Sequence, residues 1–285
     1  MSALLLTALA LTLGAGAVPA DQLQYLGPRP KTQVRRVVTL VPSITQMVIA
    51  VGGGERLVGV SRYDTQAEVK DLPRVGGFVD PSVEAVLALH PDLVLVQPGP
   101  GNRGPVVKLA ELGVPVLVLP LRSMTDVLRA IREVGKALGR SADGERVAGE
   151  LEEVRRQVRA EARQLRPKKV LVIYGFSPLV VAGPGAFVDE LLRDAGAKNA
   201  AAGAKAPYPV YSAESALKAR PDVVIDAVMG HESGGETLRA LPGLREARWV
   251  SVPSEDLLHP GPNIGRGLRT LFELIHGAPE PGAAR

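Results

Sequence analysis

The 285-residue chain has no cysteine. Disulfides, thiolate zinc sites, cysteine nucleophiles and a lipidated cysteine anchor are therefore excluded. Aromatic residues are scarce, with one tryptophan, five tyrosines and four phenylalanines. A phosphate-cradling GxxxxGK[ST] loop and a GxSxG nucleophile elbow are both missing. No segment after the first twenty residues approaches the roughly 20 apolar residues of a membrane-spanning helix. Charge of one sign is not concentrated: Lys+Arg 34 against Asp+Glu 30 gives +4, interleaved along the chain. That pattern lacks the basic stripe a nucleic-acid surface needs, so nucleic acid is not expected as a partner.

What is present begins with a leader. Residues 1–20, MSALLLTALALTLGAGAVPA, are uncharged and apolar from Ala3 to Leu13, then turn to small residues ending Val18-Pro19-Ala20. This matches the hydrophobic core and cleavage site of a secretory signal, although no Lys or Arg precedes the apolar run. The expectation is an exported, soluble periplasmic protein without a lipid anchor.

From Val37 short aliphatic runs alternate with helical patterns: VVTLV, LVGV, LVLVQ and VPVLVLP, separated by helices near Pro42, Ser82 and Val106. Strands that are apolar throughout and linked by single helices indicate a parallel sheet covered on both faces. Residues 34–123 thus read as an N-terminal α/β lobe. Residues 124–166 read as connecting helices, the longer from about Asp143 to Leu165, with Val147, Leu151, Val154 and Val158 forming one apolar stripe. At 1.5 Å per residue it would extend about 35 Å, enough to join two lobes; a crossover helix within one domain is the alternative. Residues 168–277 repeat the α/β alternation as a C-terminal lobe, with KVLVIY, LVVAG, DVVIDA and ARWVSVP as strands.

An internal repeat supports duplication. Ser82, Glu84, Leu87, Pro91, Asp92 and Val94 recur 130 residues later as Ser212, Glu214, Leu217, Pro221, Asp222 and Val224. Each copy reads as a serine N-cap, a helix, a Pro-Asp turn and a buried strand. Glu84 and Glu214 would sit at equivalent points, either complementing helix dipoles or meeting arginines of a partner at two matched positions.

The sequence carries elements of three kinds of chemistry. Gly99 to Gly104 satisfies GxGxxG after a strand and before a helix. Prolines at 98, 100 and 105 stiffen that loop, and no acid ends the next strand, so a dinucleotide site is not favoured. The four histidines, His90, His231, His259 and His276, offer too few converging donors for a metal site, even with Glu232 and Asp256 nearby. The aromatic residues say more. Phe187, Trp249 and Phe272 read as core and Tyr25 follows the leader, whereas Tyr63, Phe78, Tyr174, Phe176, Tyr208 and Tyr211 fall in loops or at strand carboxyl ends. Those ends line the ligand crevice of open parallel sheets, so two facing rims would form a cleft suited to a large flat or ring-shaped ligand. Arg62, Gln97, Arg103, Asp256, His259 and Arg266 could orient it; the plainer alternative is that loop tyrosines cover lobe edges.

The segments RRVVTLVPSITQMVIAVGGGERLVGVSRYD, LPRVGGFVDPSVEAVLALHPDLVLVQ and HPGPNIGRGLRTL resemble the helical-backbone (class III) periplasmic binding proteins of ABC importers that take up cobalamin, heme and ferric siderophores. The likeness runs from about Val34 to Leu274. It implies two lobes joined by one long helix, with the ligand between them and no catalytic residue, metal site or cofactor of the protein's own. It implies a permease dimer with its ATPase as partner, a monomeric binding protein, and Glu84 and Glu214 as docking residues. By position, Tyr63, Phe78 and Gln97 match ligand contacts of cobalamin binders in the first lobe, and Tyr208 and Asp256 in the second. Trp249 departs from the pattern, since cobalamin binders commonly place tryptophan in the cleft. Tyr63 and His259 are available as axial ligands for heme, and Arg62, Arg103 and Arg266 for a siderophore. The expected order is cobalamin, ferric siderophore, heme; an exported α/β enzyme is the rival from another class.

Overall fold

The computed structural model describes residues 22–30, 33–99, 101–228, 235–252 and 259–277. The expected leader, His231, Glu232 and Asp256 lie outside the described residues.

The first lobe contains β1 (Gln24–Leu26), β2 (Val37–Thr39), α1 (Pro42–Ala50), β3 (Leu57–Gly59), α2 (Val83–Ala88), β4 (Leu93–Val96), α3 (Arg103–Glu111) and β5 (Val116–Val118). The strands form a sheet in the order β1-β5-β4-β2-β3. Four run parallel, and β1 closes an edge antiparallel to β5. Tyr25 therefore belongs to a strand rather than to a loose post-leader segment. Alternation splits the buried side chains between two layers. Val37, Leu93, Leu95 and Leu117 join a core shared with α1, while Val38, Val94, Val96, Val116 and Val118 join a second core beneath α2 and α3.

The connecting helices are α4 (Met124–Ala137) and α5 (Ser141–Ala162), the latter 22 residues long, or about 33 Å at 1.5 Å per residue. Ser123 caps α4 through its side chain to Asp126 N. The two helices approach so closely that a Cβ on Gly135 would stand 2.9 Å from Gly144 Cα. Beyond α4, the α5 strut packs against two helices of the second lobe, Phe187–Asp194 and Ile264–His276. Its spacing of four gathers Arg155, Arg159 and Arg163 on one side, and with Arg129, Arg132 and Arg156 they line a groove of about 710 Å³. The even spread of charge expected from the sequence is thus corrected by the helix period. Several of these guanidiniums are paired, Arg132 with Glu145 and Glu152, Arg155 with Glu190 and Asp194.

The second lobe contains β6 (Lys169–Phe176), β7 (Leu179–Val181), α6 (Phe187–Asp194), β8 (Lys198–Asn199), α7 (Ala213–Ala219), β9 (Val223–Asp226), α8 (Gly235–Arg239), β10 (Arg248–Ser251) and α9 (Ile264–His276). The strand order is β10-β9-β6-β7, with β8 also on β6. One strand departs from the expected parallel arrangement: β7 returns antiparallel to β6, because two intervening residues can make a hairpin but not a crossover. A single apolar core runs from Val37 through Leu151 and Val158 of the strut to Val172 and Leu271, so the helix is at once connector and shared core wall.

The repeat holds at atomic detail. Ser82 and Ser212 Oγ accept from Ala85 N and Ser215 N, each at 3.1 Å. His90 and Arg220, at the same offset, both adopt φ 44° to leave their helices. Asp92 Oδ2 then accepts from Arg35 N and Arg36 N, and Asp222 Oδ2 from Lys169 N, fastening β4 and β9 to the starts of β2 and β6.

Candidate functional site

On the first lobe, the loop leaving β3 carries Tyr63, 57% exposed. Its neighbours Ser61 and Asp64 are buried, and Asp64 Oδ2 accepts from Ser61 N at 2.9 Å and Ser61 Oγ at 2.6 Å. Burial pushes the Asp64 carboxyl up, opposed by hydroxyls of Ser61 and Thr45 and by Arg74. The Tyr63 ring lies along Gly77, where an added Cβ would stand 2.9 Å from Tyr63 Cε2. Gly76 turns the chain at φ +101°, a conformation that favours glycine. Arg62 is paired with Asp80 at 2.6 Å and lies 6.0 Å from the Tyr63 ring centre.

Phe78, half-buried, covers Gly99 at the end of β4; a Cβ there would come within 2.5 Å of Phe78 Cζ. The GxGxxG segment is tied back to the end of β4 by buried Asn102. Its Oδ1 accepts from Gly99 N at 3.0 Å and its Nδ2 donates to Gln97 O at 2.9 Å. Gln97, Arg103 and Arg122, with Val96, Val106 and Val118, line a largely apolar cavity of about 340 Å³ at the carboxyl ends of β4 and β5. Tyr63 and Phe78 thus stand on one rim, with Gln97 and Arg103 on the adjoining cavity wall.

On the second lobe, Tyr174 near the end of β6 meets Tyr208 edge to face, with ring centres 5.5 Å apart at 80°. Burial, with Tyr208 beside it, pushes the Tyr174 phenol far up, so it stays protonated as a hydrogen-bond donor. Burial also raises Tyr208 and Tyr211. The segment holding both lies along β7, with Tyr211 N donating to Leu179 O and Gly183 N to Pro207 O at 2.8 Å each. Phe176 ends β6 and packs over Gly235 against the outer core, as Tyr211 packs on that core too. His259 is half-buried just before α9, and Gly261 next to it approaches Gln46 of α1, where a Cβ would meet Gln46 Oε1 at 2.9 Å. The loop before α9 therefore reaches the first lobe. Arg266 is exposed on the first turn of α9.

Of the residues read as core, Phe272 is buried, while Phe187 and Trp249 pack half-buried on their cores. Trp249 Nε1 donates to Leu244 O at 2.8 Å, so the lone tryptophan is a structural residue of β10. Glu84 and Glu214 are exposed in the first turns of α2 and α7. Glu214 pairs with Lys218 at 2.7 Å, and Glu84 accepts from Ser82 Oγ at 3.3 Å. No group of three or more metal-ligating side chains occurs among the described residues. The reading from sequence missed Ser61, Asp64 and Asn102. Their signal was local: Ser and Asp three apart after a strand, and Asn before a helix, both turn-forming patterns.

A model of a periplasmic binding protein family matches residues 37–246. The chain belongs to that family. Among relatives of this binding protein, the vitamin B12-binding protein of Yersinia pestis (strain Pestoides F) is 29% identical over 261 residues, 89% of this chain and 91% of the relative. Of the solved structures, the periplasmic heme-binding protein RhuT from Roseiflexus sp. RS-1 in apo form superimposes with TM-score 0.76 at 31% identity, covering 85% of this chain and 98% of that one. The periplasmic vitamin B12-binding protein BtuF of Vibrio cholerae gives TM-score 0.75 at 21% identity, covering 87% and 98%, a likeness of fold. The binding protein has the two-lobed α/β architecture of these structures. No described helix is long and apolar enough to cross a membrane.

Proposed function

We propose that this binding protein is exported to the periplasm, captures a metal chelate of the cobalamin class between its lobes, and delivers it to an ABC importer without catalysing a reaction. The observation that carries this reading is the pair of aromatic rims at the carboxyl ends of two sheets. Tyr63 and Phe78 stand on one, with Gln97 on the adjoining cavity wall, and Tyr174 against Tyr208 on the other. Aromatic faces contribute large contact area to a flat macrocycle, and the neutral phenols and the Gln97 amide suit its amide-bearing edge. The curated relatives named for vitamin B12 support cobalamin over the other chelates.

A heme reading has its own support in the exposed Tyr63 phenol, an oxygen donor for ferric iron, and in the likeness to RhuT. Spectral titration of the mature protein with cyanocobalamin, hemin and a ferric siderophore separates them. Saturable one-to-one binding of cyanocobalamin is the expected result. Binding of hemin alone, with loss of its charge-transfer band in Tyr63→Phe, would move the assignment to heme. Binding of none would overturn the chelate reading. Partnership with a permease dimer and its ATPase is proposed through Glu84 and Glu214, with the protein acting as a monomer.

A further inference from the structure

We propose that Asp64 is a positioning residue for the ligand surface, its buried carboxylate fixing the turn that projects Tyr63 from the first rim. This rests on the reading of Tyr63 as a ligand-contacting residue. The turn shows an abrupt change of environment over four residues: Ser61 is 0% exposed, Tyr63 57% and Asp64 3%. Such a reversal needs the backbone polar groups beneath the ring to find partners, because they are shut away from water.

One carboxylate oxygen anchors the set. Asp64 Oδ2 accepts from Ser61 N and Oγ, and Ser61 Oγ accepts in turn from Tyr63 N at 3.3 Å. Asp64 N closes the turn onto Ser61 O at 3.2 Å, and Arg74 Nη1 reaches the same carbonyl at 3.4 Å. The Thr39 and Thr45 hydroxyls form a buried pair 2.6 Å apart, and Thr45 Oγ1 donates to Val41 O at 3.3 Å. Asp64 Oδ1 is buried with no donor among the described residues, so the desolvation cost of the carboxylate is offset through a single oxygen. Gly77 holds the ring from the other side. The backbone beneath and the glycine beside leave Tyr63 one direction, outward.

The test combines titration with cyanocobalamin and with hemin, a double-mutant cycle, and amide exchange. Tyr63→Ala and Asp64→Ala are each expected to weaken the bound chelate about tenfold, and the double variant no further than the weaker single, since both act through one ring. The Ser61 amide is expected to lose exchange protection in Asp64→Ala while amides of β4 and β6 keep theirs. If Asp64→Ala fails to fold, Ser61→Ala, which removes both Oγ contacts and little volume, is expected to weaken binding about threefold. Tyr63→Ala without effect would overturn the cleft reading of Tyr63, and this proposal with it. A weakened Tyr63→Ala beside wild-type affinity in Asp64→Ala or Ser61→Ala, or losses that add in the double variant, would overturn the positioning role alone.

Discussion

Gly99 and Phe78 occupy one volume on the first rim, since a Cβ at position 99 would stand 2.5 Å from Phe78 Cζ and 3.0 Å from Cε1. A ring that close cannot keep its place against a new methyl group, but it is half-buried and has room to swing outward. Gly99→Ala is therefore expected to weaken cyanocobalamin binding several-fold while costing less than about 1 kcal/mol of stability, because an exposed ring yields more easily than a core. Gly76→Ala provides the contrast. There φ is +101° and the Cβ would meet Asp80 O at 2.5 Å, so the urea midpoint should fall clearly, by about 1–3 kcal/mol. The rings could be singled out in the sequence because they fall in loops or at strand carboxyl ends, the side of an open parallel sheet where ligands bind. Their supports, Asn102 and Asp64, could not be, because a buried polar residue in a turn looks like any other turn residue until its partners are known.

The elements α2 and α7 show what a duplicated pattern determines. The serine cap, the positive-φ exit and the Pro-Asp staple place Glu84 and Glu214 in the same turn of two short helices. Among the described residues only Glu214 of the two has a cation beside it, Lys218, in a pair so exposed that it contributes little. If these acids meet matched arginines on an importer, Glu84→Arg with Glu214→Arg should abolish uptake in cells while purified protein binds cyanocobalamin as before. Unchanged uptake would leave the acids with the helix dipole alone. Two strands, β1 and β8, escaped the sequence reading, and so did the antiparallel direction of β7, for physical reasons. β1 is a three-residue edge strand with no apolar run of its own, and LVVAG has the same composition whether it pairs parallel or antiparallel.

Across the whole molecule, the strut is fastened to the second lobe by charge as well as by apolar contact. Asp194, 2% exposed, takes Arg155 Nε at 2.6 Å and Arg159 Nη2 at 2.5 Å. Glu190 takes Arg155 Nη2 at 2.5 Å and the Met124 amide of α4 at 2.9 Å. The second lobe's α6 thus holds both connecting helices. Asp194→Ala leaves Arg155, whose side chain is 14% exposed, short of a buried partner. A loss of about 3 kcal/mol is expected in urea unfolding, with the single transition broadening or splitting as the lobes uncouple. Asp194→Asn, which keeps an acceptor oxygen, should lose less.

The order of strands and helices, the length of the strut and the twofold pattern were written in the sequence alone. Each follows from periodicities of apolar side chains and from caps within a few residues, interactions a linear chain already contains. Tertiary structure alone decided which rings stand together, that Arg155 and Arg159 of α5 meet Asp194, and that a buried carboxylate underlies Tyr63. Those contacts join residues up to 39 positions apart, as Arg155 and Asp194 are, and no local period encodes a partner brought near only by the folded sheets.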